Sequence, residues 1–440
     1  MRRRIVFMAG IAIMLAGIIA SAAAAPVKLT YMTWEPKGMA SAIAKYEADT
    51  GNTVEVLADD PNKIMAMGMA GDAVDVFLFH GGGQFLDLAS KGFLTPLDAM
   101  MAKSKTLSPA DLLPINDLCR WDGKTEGTGP YYGIIKDYGS PVLFYNKRMF
   151  DKAGIAYPSA TKPLSADEFR ALAKKLTVYQ AGKVVQYGWA EPSADNWVFP
   201  DTFNIARAAA SNGLVAKNFA FTDDYKKLSF DENTPGVAAY IQMLVDMAMK
   251  DHSWPSPLDP STQWAGDLFI HDQAALEIAG PWWVGNCEQS VPQARQWIGV
   301  APTPLLWGQK QLFPNDMPVG FAIMKNAKKE AFQLLEYLQY YGGVQNTKIA
   351  WNIPTTKPLQ QLLPRSEAYW VPYFKIFDAM VPAETFVKPN PYLPDYSGIN
   401  EAIAGPSLMD LFTGKIAVKD WLKKGVAAAN AKIADAIANK

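Results

Sequence analysis

The chain runs to 440 residues with 42 Lys and Arg against 43 Asp and Glu, a formal net charge of −1, 12% aromatic residues and 13 tryptophans. So even a charge balance leaves no electrostatic footprint for nucleic acid or for an anionic membrane surface. The length exceeds the roughly 250–300 residues at which single cores stop growing, so two lobes are expected rather than one.

The chain opens with Arg2, Arg3 and Arg4, an apolar run from Ile5 to Ile19, and small residues from Ala20 to Ala25. This is the pattern of a secretory leader, read here as residues 1–24 with cleavage after Ala24. The run falls short of the roughly 20 apolar residues a membrane span needs, and no later stretch supplies them. A lipoprotein needs a cysteine directly after its leader, whereas Cys119 and Cys287 lie far inside. The expectation is therefore a periplasmic protein without a lipid tether. In an oxidising compartment the two cysteines either pair or remain as buried free thiols.

After the leader, strand-like and helical runs alternate. Val27 to Met32 reads as a strand; Met39, Ile43 and Tyr46 recur at helical spacing, and Gly51 suits a helix C-terminus. Thr53 to Leu57 reads as a second strand, and Asp60-Pro61 as an N-cap with a first-turn proline for a helix to Met69. Val74 to Phe79 is a continuous apolar strand, followed by a helix from Gln84 that stops at Lys91-Gly92. This order is that of a doubly wound α/β sheet.

The grammar resumes with a strand at Val142 to Asn146 and a capping box at Ser165-Ala166-Asp167-Glu168, ahead of Phe169, Leu172 and Leu176. A helix starts at Thr234-Pro235 with Tyr240, Ile241, Leu244 and Val245 inward. Ala274 to Ile278 and Ile298 to Ala301 read as strands, and a helix from Lys328 to Tyr341 is closed by Gly342-Gly343. No internal repeat and no low-complexity linker interrupts this. Two α/β lobes joined without a flexible tether are expected.

Catalytic signatures are sparse. None of His80, His252 and His271 sits in a metal-ligand spacing. Gly81-Gly82-Gly83 lacks the Gly-Lys-Ser/Thr of a phosphate loop, and no nucleophile elbow occurs. Asp223-Asp224 lies in a stretch that reads as a solvated turn. Neither a cofactor nor a metal site is expected, and the chain reads as a binder rather than an enzyme.

Four blocks, in order, carry a resemblance. They are Gly71 to Phe77 with Leu88 to Asp98; Tyr132 to Ser140 leading to Leu143 through Gly154; Gln273 to Trp282; and Val319 to Ile323 with the helix from Glu330 and Ile353-Pro354-Thr355. Together they resemble the family 1 extracellular solute-binding proteins, the group that includes the maltose-binding proteins. The resemblance implies a two-lobe, type II-like periplasmic binding fold that closes as a hinge on one solute. It implies a monomer whose partners are a carbohydrate ligand and the permease subunits of an ABC importer. It also implies crossings between lobes near Lys136 to Gly139, near Phe313 to Gly320, and once more later. Lobe 1 would then comprise 25–136 and 318–370, and lobe 2 would comprise 139–314 and 371–440. One departure is Ile135-Lys136-Asp137-Tyr138, where relatives often carry a proline just before the polar residues.

Ligands of such folds sit where strand ends meet the interlobe crevice. Trp34 and Glu35 follow the first strand. His80 ends the third, where maltose-binding members carry a stacking tryptophan, with Gly81 to Gly83 leaving space above it. Asp137 and Tyr138 lie at the first crossing, and Asp316 precedes the second. Trp282 matches the family's Gly-Pro-Trp aromatic, which stacks on a sugar ring, and Trp283 doubles it. Trp189, Trp197 and Trp264 complete the candidates. Flat indoles suit the C–H face of a sugar, and Asp, Glu and His suit its hydroxyls, since each buried hydroxyl left unpaired costs about 1–3 kcal/mol. Trp121, Trp297, Trp370 and Trp421 read as core, His252 and His271 as surface, and Glu277 as a core partner. Lys136 is the main basic residue of the expected cleft, which argues against a strongly anionic ligand. Two alternatives stay open: a non-sugar solute such as a polyol or polyamine, and a periplasmic polysaccharide-degrading enzyme.

Overall fold

In the computed structural model the described residues are 25–138, 141–190, 201–214, 220–256, 258, 266–308, 319–348, 353–380, 396–404 and 408–438. The leader reading and the candidates Trp197, Trp264 and Asp316 lie outside them.

Alternating apolar runs build two sheets, one per lobe. The strands are β1 (Lys28–Thr33), β2 (Thr53–Ala58), β3 (Val76–His80), β4 (Arg120–Trp121), β5 (Glu126–Tyr131), β6 (Gly133–Tyr138), β7 (Val142–Asn146), β8 (Val178–Gln180), β9 (Lys183–Ala190), β10 (Ala274–Ala279), β11 (Ile298–Ala301), β12 (Val319–Ala322) and β13 (Ile353–Pro354). One sheet has the order β13-β6-β12-β3-β1-β2, the other β11-β7-β10-β9-β8. Both are mixed. β1 runs parallel to β2 and β3, but β12 is antiparallel to β3 and β6 because it arrives from the opposite direction.

Period-two side-chain alternation clothes both faces of each sheet. On β3, Val76 and Leu78 join Tyr31, Phe321 and Leu338, while Phe77 and Phe79 join Met32, Phe85 and Ile135. On β7, Leu143 and Tyr145 face one cluster, and Val142 and Phe144 face the other. The C-terminal helices Tyr396–Ala404 and Val418–Ala438 cover the second sheet through Ile399, Ile403, Leu422 and Ile433. Trp121, Trp297, Trp370 and Trp421 are all buried. Cys119 and Cys287 are buried free thiols in separate clusters, which resolves the alternative left open by the sequence.

Local chemistry accounts for the helix ends. Asp60 accepts from the backbone N–H of Lys63 ahead of the helix Pro61–Ala70, and Ser165 and Glu168 form the full capping box of Ala166–Leu176. Three expectations are corrected. Gly81 to Gly83 are the first turn of the helix Gly81–Ser90 rather than an opening. Gly236, in the left-handed region, delays the next helix to Val237–Met249. Gly342-Gly343 does not end the helix Ala331–Tyr337; the chain continues through a π-turn, Leu338–Gly342, into the helix Gly343–Lys348. A hairpin of β8 and β9, turning at left-handed Ala181 and Gly182, was not read from the sequence.

Beside the first sheet, the ribbon β4-β5 pairs Trp121 with Glu126. Glu126 is buried, and burial pushes its carboxyl up to about 7. Cys119 and, from the other lobe, Tyr225 are the titratable groups that sense it. A carboxyl raised in the fold favours the folded state while protonated, and that advantage is lost as pH climbs from the unfolded value near 4.5 through 7. Glu126→Gln is therefore expected to match the parent near pH 4.5 and exceed its stability at pH 8 by on the order of 3 kcal/mol. Urea unfolding at both pH values checks this; an equal difference at the two would refute it.

Candidate functional site

The strand ends of the first sheet converge on one edge. β1 ends at Thr33, and Trp34-Glu35 lead into the helix Pro36–Thr50, Glu35 occupying its N-cap position. β3 ends at His80 and β6 at Tyr138. On the intervening strand, Val319 lies in register with both His80 and Asp137. Asp137 and Tyr138 in turn face Pro354 and Ile353 of β13. The backbones of Glu35, His80, Asp137 and Tyr138 thus share the edge where open α/β sheets hold ligands. The side chains of His80 and Tyr138 lie outside the described residues.

An ion cluster forms the floor. Lys136 Nζ donates to Glu35 Oε1 in a short ion pair and lies 2.9 Å from Asp137 Oδ2. Burial disfavours the ammonium, but Asp137 and then Glu35 outweigh that and hold its pKa above the ordinary lysine value. Burial lifts the Glu35 carboxyl, and Lys136 draws it back. Two carboxylates share one ammonium, so the ionised cluster keeps one negative charge. Thr33 Oγ1 accepts from the Glu35 backbone N–H at 3.0 Å, fixing the chain as it leaves the strand. Below it, burial and then Glu35 push the Tyr31 hydroxyl well above its usual range. Trp34 is half-buried, its ring packed against the Tyr31 and Met39 cluster.

The second lobe presents Trp282. β10 ends at Ala279, and Gly280-Pro281 turn into the helix Trp282–Ser290. A Cβ on Gly280 would stand 1.8 Å from Trp282 Cζ3, so the half-buried indole lies back over the glycine, and only glycine leaves room for it. Trp283 points the other way. It is 5% exposed and packs with Cys287, Trp370 and Phe374, so its place among the ligand candidates is corrected to core. The same holds for Trp189: fully buried, it stacks on Trp254 with centroids 5.1 Å apart and meets Phe169 edge-on. Trp189 lies on a strand buried at its end, and Trp283 in the first turn of the helix after Gly280-Pro281. Glu277 is buried within β10, and His252 and His271 are exposed.

The sequence reading missed one neighbour of the cluster. Asn346, on Gly343–Lys348, is 6% exposed, and its Nδ2 has no hydrogen-bond partner. No motif marks it; only the approach of its helix to Pro36–Thr50 brings it there. Among the described residues no group of three or more His, Cys, Asp or Glu could hold a metal ion, and no helix is long and apolar enough to cross a membrane.

Known proteins align with this architecture. A binding protein of Brucella abortus strain 2308 is 23% identical over 372 residues, covering 82% of this chain and 80% of its own. The ABC substrate-binding protein of Listeria monocytogenes solved with cycloalternan superposes with a TM-score of 0.73 at 21% identity, covering 93% of this chain and 99% of the other. A Thermotoga lettingae ABC transporter solute-binding protein bound with α-D-tagatose gives 0.75 at 20% identity, over 92% of this chain and 100% of that one. The maltose/maltodextrin-binding domain of Bdellovibrio bacteriovorus bound to maltotriose gives 0.69 at 20%, over 94% and 99%. The family model described as bacterial extracellular solute-binding protein matches residues 41–358, more than half of the chain. With two sheets, a strand-end site and that match, the chain belongs to the bacterial extracellular solute-binding proteins.

Proposed function

We propose that this protein is the carbohydrate receptor of an ABC-type importer, exported to the periplasm and without a lipid tether there. It takes a mono- or oligosaccharide between a lobe of residues 25–136 and 318–370 and a lobe of 139–314 and 371–440, closes as a hinge, and is read by the permease subunits. The observation that carries this is the Glu35–Lys136–Asp137 cluster at the strand ends, with half-buried Trp34 beside it and Trp282 at the corresponding strand end of the second lobe. Hydroxyls need such acceptors and donors, and a sugar's C–H face needs such a ring. Similar folds solved with cycloalternan, tagatose and maltotriose support the substrate class.

The residual negative charge also favours one rival, a polyamine, which would neutralise it. Thermal-shift measurements on the purified protein separate the two. A sugar from a panel of maltotriose, mannotriose, D-tagatose and cycloalternan should raise Tm by several degrees, since about 2.7 kcal/mol accrues at a hundredfold excess over Kd. A response to spermidine alone would replace the carbohydrate assignment. Hydrolysis of an oligosaccharide would replace the receptor.

A further inference from the structure

Two polar atoms, one of them the buried Asn346 Nδ2, face one methyl-sized gap beside the cluster. Glu35 Oε1 is taken by Lys136, and its other oxygen turns toward Gly38 in the first turn of Pro36–Thr50. A Cβ placed on Gly38 would lie 3.6 Å from Glu35 Oε2 and 3.9 Å from Asn346 Nδ2, both ordinary contacts. Glycine thus leaves a space there bordered by an acceptor on one side and an N–H donor on the other. Buried polar groups are ordinarily paired, and one left alone costs about 1–3 kcal/mol, so an orphan donor at a ligand-binding edge calls for an explanation.

The chain goes to some length to bring Asn346 to this place. Its helix would be a plain continuation of Ala331–Tyr337 but for the π-turn Leu338–Gly342, which adds a residue and rotates the helix Gly343–Lys348 about its axis. Two glycines end the π-turn, and the side chains of Met39 and Leu359 lie close over them. A Cβ on Gly342 would meet Met39 Sδ at 2.7 Å, and one on Gly343 would meet Leu359 Cδ1 at 2.5 Å. Gly342 thus lies close against Pro36–Thr50, where Asn346 also comes near Gly38, and Gly343 lies close against Leu359 of the helix Lys357–Gln360. π-Turns inside helices recur at functional sites.

We propose that Asn346 is a specificity-determining residue of the solute site, its Nδ2 donating to a solute hydroxyl oxygen while Glu35 Oε2 accepts that hydroxyl's proton or its neighbour's. The inference rests on the carbohydrate reading and adds to it a donor–acceptor pair on the first lobe. A donor beside a carboxylate selects a group that both accepts and donates, which a hydroxyl does. A carboxylate on the solute could not donate to Glu35, and an ammonium could not accept from Asn346.

The test is isothermal titration of the full chain with maltotriose, mannotriose, D-tagatose and cycloalternan, each alone, alongside Tm without ligand. For whichever sugar the parent binds, Asn346→Ala should raise Kd about tenfold, the size of one lost hydrogen bond to a buried partner. Asn346→Asp, which keeps the shape and removes the donor, should weaken binding at least as much. Gly38→Ala should weaken binding by filling the gap, with little change in unliganded Tm. Because the alanine variant removes an unpaired donor, its unliganded Tm should stay level or rise. Parent-like Kd in Asn346→Ala and Asn346→Asp overturns this proposal alone, and so does a fall in Tm with Kd unchanged, which marks a structural amide. If the parent binds none of the four sugars, the proposal falls together with the carbohydrate reading.

Discussion

Replacing Lys136 by methionine is expected to cost about 3–5 kcal/mol of stability and to abolish solute binding. The ammonium is almost fully buried and is the shared partner of Glu35 and Asp137. Methionine fills the same channel, so the loss is electrostatic and not a cavity. Two carboxylates remain, both largely buried, repelling each other without a counter-charge. The pH dependence has a definite sign. In the variant the Glu35 carboxyl, already raised by burial, loses the ammonium that drew it back, so the folded state keeps its stability while that carboxyl is protonated and loses it as pH rises through the raised value. Urea unfolding should therefore show the variant closest to the parent at pH 4 and furthest from it at pH 8. The triple change Glu35→Gln, Lys136→Met, Asp137→Asn should recover most of the stability, because neutral groups need no counter-ion, yet recover no binding. A loss below about 1 kcal/mol at pH 8 would mean that water screens the cluster as it does a surface pair.

Trp282→Ala is expected to leave unliganded Tm near that of the parent and to raise the sugar Kd by well over tenfold. Covering roughly 100 Å² of sugar C–H surface is worth about 2.5 kcal/mol, or close to seventyfold in Kd. Trp282→Phe should keep part of this, since a smaller ring still offers a face. Its neighbour supplies the contrast. Trp283→Ala should lower stability by about 3–5 kcal/mol, as truncating a buried aromatic does, and leave Kd little changed in whatever fraction stays folded. Calorimetry paired with thermal melts reads both quantities. If Trp283→Ala moved Kd and Trp282→Ala moved Tm, the orientation of the two indoles would be reversed.

That pair also marks where the sequence stopped being legible. Features set by neighbours within four or five residues were readable: the Asp60 cap, the Ser165–Glu168 capping box, the left-handed Gly51 and the continuous apolar strand ending at β3. Adjacent tryptophans in Trp282-Trp283 are identical in composition, and only the turn over Gly280 decides which one faces out. Trp189 sits in a strand covered on both faces, where alternation carries no inside and outside, so its stacking on Trp254 had no sequence signal. Glycine misled twice. Gly81 to Gly83 read as open space and Gly342-Gly343 as a helix end, yet both lie in helical backbone, the second pair with the side chains of Met39 and Leu359 close over it. Of the site, Trp34, Glu35 and Asp137 were readable as strand-end residues. Lys136 was read only as the cleft's basic residue, and Asn346 depends on contacts between segments some 300 residues apart.

Both native thiols are sealed away. Cys119 and Cys287 are buried in different cores, and burial pushes each thiol's pKa well above its usual range, so neither presents a thiolate to reagent in the folded protein. The native protein is thus a ready background for site-directed labelling. A single cysteine placed at exposed Met69 on one lobe and another at exposed Tyr179 on the other would be the reactive positions. Dyes coupled there would report the distance between the lobes as solute is added, turning the receptor into an optical sensor for its own ligand without removal of a native residue.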